Sequence, residues 1–376
     1  MGETSRHRTA LSDLALELTA QSTRLRSELP SSVAAALATL VRAMNCYYSN
    51  LIEGHDTHPV DIERALVNDF SAEPDMRNLQ REATAHIAVQ AWIDDGGLAG
   101  RATTEQGLCE IHERFCAHLP QALLVVEDKK TGERLEVVPG AYRTRDVQVG
   151  RHVGVSPGAV PRFMKRFEEA YRVPGKLDRI LSAATAHHRL LWIHPFLDGN
   201  GRVARLMSYA LLHDSLDTGG LWSVARGLAR AESDYKQGLQ ACDLSRRNDL
   251  DGRGQLSEEA LADFARFMLE TCIDQVSFMR RLMEPDRLRG RILLWAEEES
   301  RSGHIPARSK ELLSAILYRG EVQRGEVAEI VGASTRTARR TVSDLLARGV
   351  VQSASPRAPL QLRFPAQLAG RWMPGL

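Results

Sequence analysis

The chain has 376 residues, 43% of them hydrophobic, enough to bury at least one large core and to divide into two or three domains. A formal net charge of +1 argues against a protein that is basic overall and coats nucleic acid, so any such contact is confined to a local patch. Five cysteines without a CxxC pair, no signal-peptide core and no apolar run near the roughly 20 residues a bilayer requires argue against a disulfide framework, a zinc ribbon and a membrane partner, leaving the cytoplasm as the expected place.

Residues 33–52 are rich in Ala and Leu with apolar residues at three- and four-residue steps. With Ser31 or Ser32 as a cap and Gly54 as a stop, they predict one long buried helix. Further helices are predicted over 59–70 and 76–95. The run LLVVEDKKTGERLEVVPG then offers two β-rich stretches around Thr131-Gly132, a hairpin, and YRTRDVQVG continues as extended chain. Helical periodicity resumes over 162–171 and 177–193, restarts over 202–212 and persists to about Met283, where Glu284-Pro285 marks a boundary.

The last ninety residues or so read as a separate unit: a short helix, a turn at Gly332, a second helix, and a β-like segment through LQLRF. On that second helix Ala338, Val342, Leu345 and Leu346 share one face, leaving Arg336, Arg340 and Ser343 in a stripe with Arg339 beside them. A basic face on a helix in this position is a candidate DNA contact; a solvated charged face on an assembly module is the alternative.

The densest chemistry lies in HPFLDGNGRVAR, residues 194–205. A helix ending at His194 and Pro195, followed by Gly199-Asn200-Gly201 and a new helix, points backbone N–H groups and a positive helix dipole at one spot, which is a phosphate site. Arg202 and Arg205, three apart, share a face and can grip further phosphate oxygens. A polyphosphate calls for a divalent cation, and Asp198 is the loop's one carboxylate, suited to Mg2+ that keeps most of its waters. His194 beside it is a candidate general base.

This loop resembles the signature of the Fic family, His-x-Phe-x-Asp/Glu-Gly-Asn-Gly-Arg-x-x-Arg, at every specified position. The upstream AAxxHxxLxxIHPF, with His187 read as structural, and PGAYRTRDVQVG, similar to that family's target-binding flap, extend the resemblance over roughly residues 30–280. It implies a mainly α fold: a Fic helical core with a small β-hairpin flap, plus a C-terminal winged-helix domain. It also implies transfer of AMP from ATP to a hydroxyl side chain (Ser, Thr or Tyr) of a target protein. His194 would deprotonate that hydroxyl, and Phe196 would bury itself under the loop. Asp198 would bind the metal, Gly199, Asn200 and Gly201 the phosphates, and Arg202 and Arg205 the outer ones. Val147, Gln148 and Val149 of the flap would receive the target's extended backbone. Gly201 stands where family members that transfer a terminal phosphate carry Lys, which favours nucleotidyl transfer. Tyr235 is the expected nucleotide contact at SDYKQGL, although Lys236 stands where members often carry a second tyrosine.

SNLIEG, residues 49–54, resembles the family's inhibitory motif, Ser/Thr-x-x-x-Glu-Gly/Asn. Glu53 at the last turn of its helix meets the negative end of the macrodipole, at a cost of about 0.3–1 kcal/mol, and benefits from a cationic partner. Ser49, four residues earlier, can pin it. The resemblance makes that partner Arg205. NDLDGRGQLSEE invites a calcium-loop reading, but Arg253 and Ala260 fall where carboxylates are required, leaving a turn and a helix cap.

The expected division is a helical region over 1–100 carrying the inhibitory motif, a catalytic core over 101–284 and a winged helix-turn-helix domain over 285–376. Two other function classes stay open: a Fic enzyme run in reverse, removing AMP, and a DNA-binding regulator whose core only senses nucleotide. The target, the base preference and the oligomeric state, a homodimer included, are not fixed by sequence.

Overall fold

The computed structural model describes every residue except Met1, Glu3, Arg26, Ser27, Lys129, Lys130 and Pro174. The chain runs α1 (Arg8–Leu25), α2 (Ser31–Ile52), α3 (Pro59–Leu66), α4 (Pro74–Asp94), α5 (Glu105–Ala117), β1 (Val125–Glu127), β2 (Arg134–Glu136), β3 (Gln148–Val149) and β4 (His152–Val153). Then follow α6 (Val160–Tyr171), α7 (Lys176–Ile193), α8 (Asn200–Leu216), α9 (Val224–Arg230), α10 (Glu232–Cys242) and α11 (Glu258–Met283). The remainder is α12 (Pro285–Arg301), α13 (Ser309–Arg319), β5 (Glu321–Val322), α14 (Val327–Ile330), α15 (Thr335–Ala347), β6 (Val351–Gln352), β7 (Leu360–Leu362) and α16 (Ala369–Trp372). The fold is mainly α with short antiparallel strands, as expected.

The departures from the sequence reading are local and have local causes. α3 stops at Leu66 because Asn68 is left-handed at φ 63°, a conformation Asn tolerates and a helix does not continue through. α8 starts at Asn200, two residues earlier than expected, because Gly199 at φ 78° turns the chain and lets the helix begin at once. α5 carried no expectation of its own; Thr104 caps it by accepting from Gly107 N at 3.0 Å. The hairpin around Thr131-Gly132 forms as β1–β2, with Lys129 and Lys130 outside the described residues. Beyond it, only Gln148–Val149 of the expected extended run becomes strand, paired with β4 around Gly150 at φ 60°.

Contacts divide the chain into two compact units: Met1–Ser22 with Asn45–Asp217 and Ser223–Gln275, and Thr23–Met44 with Thr218–Trp222 and Val276–Leu376. These do not follow the linear divisions at residues 100 and 285. In the first unit α4, from the expected first region, packs against α5 and α8 from the expected core. Pro285 sits at the start of α12, where its missing N–H costs nothing, so it marks a helix junction.

The centre of the first unit is the α7–α8 pair. Small side chains at Ala183, Ala184 and Ala186 on α7 and at Ala204 on α8 are all buried, so the two helices can approach closely, and Leu190, Val203, Leu206 and Met207 fill the remaining space. Each fully buried large apolar side chain contributes about 1.5–3 kcal/mol. The expected helix cap at 248–259 also forms. Asp251, 3% exposed, accepts from Arg247 N at 3.0 Å, Ser257 Oγ at 3.0 Å and Glu259 N at 2.9 Å, spending its carboxylate on the start of α11.

In the second unit the strands form an antiparallel sheet in the order β5-β7-β6. Trp372 is its apolar anchor, packed edge-on against Trp295 and Phe364. α14 leads through Gly332, left-handed at φ 57°, into α15, where Ser334 accepts from Thr337 N. α15 buries Ala338, Thr341, Val342 and Leu345, with Leu346 half-buried, and exposes Arg336, Arg339 and Arg340. Among the described residues no helix is long and apolar enough to cross a membrane.

Candidate active site

α7 ends at His194, whose left-handed backbone (φ 53°, ψ 62°) carries the chain out of the helix while its N–H still bonds Leu190 O at 2.9 Å. The loop that follows is built from inside. Phe196 is fully buried and stacks on the ring of His112 from α5, centroids 4.1 Å apart and planes within 3°. Asn200 accepts from Phe196 N at 3.0 Å and donates to Phe196 O at 2.8 Å, closing the loop on itself. Phe196 thus sits where expected. The Asn200 side chain, expected at the phosphates, is committed to the loop.

His194 is in the state a base requires. Its Nδ1 lies 3.2 Å from Leu191 O, a group that can only accept, so Nδ1 carries the proton and Nε2 keeps its lone pair. Burial lowers its pKa to about 4, with the charges of His152 and Arg143 acting in the same direction, so the ring is neutral near pH 7.

Both arginines of the loop are held by carboxylates. Arg205, 4% exposed, forms an ion pair with Glu53 and also donates through Nε to Ser49 Oγ at 2.8 Å and through Nη2 to Ser49 O at 3.2 Å. Ser49 therefore pins the arginine and not, as expected, the glutamate. Burial opposes the charged form of Glu53, and Arg205 followed by Arg202 outweighs it, holding the carboxyl below its ordinary range. Glu53 Oε1 lies directly over Gly201, close enough that a Cβ there would collide with it. The carboxylate thus rests beside the N-terminal turn of α8, where a helix favours an anion.

Arg202 has a partner that no motif announced. Its Nη2 donates to Glu82 Oε2 of α4 at 2.7 Å, and the same oxygen lies 2.8 Å from His55 Nδ1. The guanidinium also sits over the Phe115 ring, 5.1 Å from its centroid.

Tyr235 corrects an expectation. At 3% exposed it is buried behind Arg205, to which it is hydrogen-bonded. Ser208 donates to Ala183 O at 2.8 Å and so accepts from His187 Nδ1 at 2.9 Å, which leaves His187 Nε2 to accept the Tyr235 hydroxyl at 2.7 Å. Burial lowers the His187 pKa to about 3 and pushes Tyr235 up to about 12, so this chain is neutral and rigidly polarised beneath the cation. His187 is structural, as read from sequence.

The flap residues Gln148 and Val149 form β3 and are exposed, Val149 at 55%; Val147 precedes the strand and is half-buried. Arg143, absent from the sequence reading, fastens this hairpin to the loop. It is 4% exposed and donates through Nε to His194 O at 2.7 Å, through Nη1 to Arg145 O at 2.7 Å, and through Nη2 to Val155 O. Its backbone N–H adds a bond to Pro195 O at 2.9 Å. Asp198 is exposed at the loop's rim, and among the described residues no group of three or more His, Cys, Asp or Glu is placed to hold a metal by itself.

Residues 102–212 match the Fic/DOC family. A protein adenylyltransferase Fic of Nematostella vectensis is 31% identical over 170 residues, covering 44% of this chain and 36% of the relative. One from Drosophila virilis is 33% identical over 168 residues, covering 44% and 32%. The chain thus spans about a third of the length of these curated relatives. Two solved structures share the fold at 18% identity. A Fic family protein from Desulfovibrio desulfuricans has a TM-score of 0.53 over 96% of this chain and 97% of its own. Fic-1 from C. elegans has 0.53 over 74% of each. Residues 102–212 thus carry a Fic/DOC family domain.

Proposed function

We propose that this chain is a protein adenylyltransferase that moves AMP from ATP to a Ser, Thr or Tyr hydroxyl of a target protein and is held back by Glu53. The observation that carries the reading is the anion seat over Gly201, bounded by the start of α8 and by Arg205 and filled by the Glu53 carboxylate. A group that binds one carboxylate there suits a phosphate better, since phosphate offers more oxygens and more charge.

In this reading His194 Nε2 takes the proton of the target hydroxyl, whose oxygen attacks the α-phosphorus in line. The bond to the β-phosphate breaks and pyrophosphate leaves. The chain supplies position and charge. Gly199, Asn200 and Gly201 present backbone N–H groups, and Arg205 and Arg202 take the outer phosphates once they leave Glu53 and Glu82. Asp198 would hold Mg2+; a single exposed carboxylate suits an ion that draws its other ligands from water and substrate, and that ion would neutralise phosphate charge. The edge of β3 gives a target segment main-chain partners, with Val147, Gln148 and Val149 beneath it. The deciding test is incubation of the purified protein with labelled ATP and magnesium, alone and in a lysate. Label that follows the α-phosphate onto protein supports the reading, whereas label that follows only the γ-phosphate overturns it.

The functional division we propose is the inhibitory helix within 1–100, the catalytic core in 101–284 and a winged helix-turn-helix in 285–376. The last is supported by the turn at Gly332 between α14 and α15 and by three exposed arginines on α15. Replacing Arg336, Arg339 and Arg340 together is expected to weaken duplex DNA binding and to reduce the slope of log affinity against log salt by up to about 0.9 per lost phosphate contact. A wild-type protein that ignores duplex DNA at low salt would remove this part of the proposal.

A further inference from the structure

His152 opens β4 opposite Val149, so its ring belongs to the hairpin that the proposed function uses for the target. Both of its nitrogens meet acceptors. Nε2 lies 2.9 Å from Trp192 O on α7, and Nδ1 lies 3.2 Å from Asp243 Oδ2 just past α10. A carbonyl oxygen and a carboxylate oxygen only accept, so both contacts are satisfied only by a ring with a proton on each nitrogen, an imidazolium.

The second histidine at Asp243 is in the opposite state. His188 Nε2 lies 2.9 Å from Asp243 Oδ1, while its Nδ1 lies 3.0 Å from Arg189 Nη1, which can only donate. His188 is therefore neutral with its proton on Nε2. Asp243 receives one charged and one neutral ring, and its carboxyl is held far below its usual range despite burial.

The other charged or titratable groups acting on His152 are Arg143 at the hairpin's base, which opposes its charge, and His194, which is neutral. Asp243 is the anion of this set, and its hydrogen bond raises His152 above the ordinary histidine value against burial.

We propose that Asp243 and doubly protonated His152 clip the β3–β4 hairpin in the position a target segment needs, acting as positioning residues for the protein substrate and not for the nucleotide. The functional part of this rests on the adenylyltransferase reading; the clip itself does not. Because the folded-state pKa of His152 is raised, the stabilisation is fully present below the unfolded value of about 6.5 and is lost as pH rises through the folded value. The hairpin therefore loosens toward alkaline pH while the loop at His194, tied by the permanently charged Arg143, does not.

Arg145 and Arg151 are exposed in or beside this hairpin, so trypsin reads its opening without catalysis. Cleavage of the ligand-free wild type, normalised at each pH to a free peptide of residues 142–155, is expected to accelerate about tenfold between pH 6 and pH 9, the size of one charge-assisted hydrogen bond. Asp243→Asn should be cleaved fast throughout and lose the pH dependence, and Asp243→Glu should restore part of it. His152→Gln, which keeps one donor, should match the alkaline wild type at every pH. Long-range 15N–1H NMR should find both His152 nitrogens protonated at pH 6, and ATP affinity by calorimetry should be the same in all four proteins. Equal cleavage of wild type and Asp243→Asn at pH 6, on proteins with unchanged melting, overturns the clip. A single protonated nitrogen at pH 6 overturns it as well. Absence of AMP transfer alongside the expected cleavage pattern counts against the enzymatic reading alone.

Discussion

Glu53→Gly is expected to raise AMP transfer from ATP on the order of 10- to 100-fold, the factor that corresponds to removing a competitor worth about 1.4–2.8 kcal/mol at the phosphate seat. The substitution clears the space over Gly201 and releases one of the three partners that hold Arg205, while Ser49 and Tyr235 still orient the guanidinium. The ligand-free variant should also melt lower, because a buried arginine loses its carboxylate. The penalty is small, since the Glu53 side chain keeps 35% of its exposure and water screens the pair. ATP should return more stability to the variant than to the wild type. Adding Glu82→Gln tests the second contact: with the charge that holds Arg202 also removed, nucleotide affinity should rise again. Well-folded Glu53→Gly protein with an unchanged transfer rate would contradict the inhibitory role.

His194→Ala is expected to reduce transfer by about 10²- to 10⁴-fold, the usual contribution of a positioned base, with ATP affinity nearly unchanged. The loop does not depend on the imidazole for its shape. Phe196, Asn200 and His112 hold it from beneath, and Arg143 grips the backbone oxygen of residue 194, which alanine retains. The wild-type rate should also stay level through neutral pH on account of this group and fall only as pH drops toward about 4, where the ring gains its second proton. Nucleotide binding lost together with activity would make His194 structural.

The parts of this site legible in the sequence are those whose geometry is set by near neighbours. A helix stop, two glycines and arginines three apart fix the loop within twelve residues, and Glu53 is placed by the end of its own helix. The partners that arrive through the fold were not legible. Glu82 meets Arg202 across 120 residues and Arg143 meets His194 across 51, and neither belongs to a periodic pattern that points at its partner. His112 gave no signal either, because a histidine on an amphipathic helix reads as surface until an aromatic ring is stacked on it. Tyr235 was misplaced for a related reason. The resemblance made it a nucleotide contact, but only the His187–Ser208 chain shows that its hydroxyl is spent behind Arg205. The compact units escaped because the chain returns to each of them more than once.

Glu53 and the seat it fills belong to one chain, so in the proposed enzyme the inhibitor is tethered to its receptor. Its effective concentration is an intramolecular quantity, set by the packing of α2, and it does not change with the amount of protein. Diluting the enzyme therefore gives no relief, and free nucleotide must displace a carboxylate that is always at hand. What can relieve it is a change in where the end of α2 lies, which makes the position of one helix terminus the quantity that a regulator has to control.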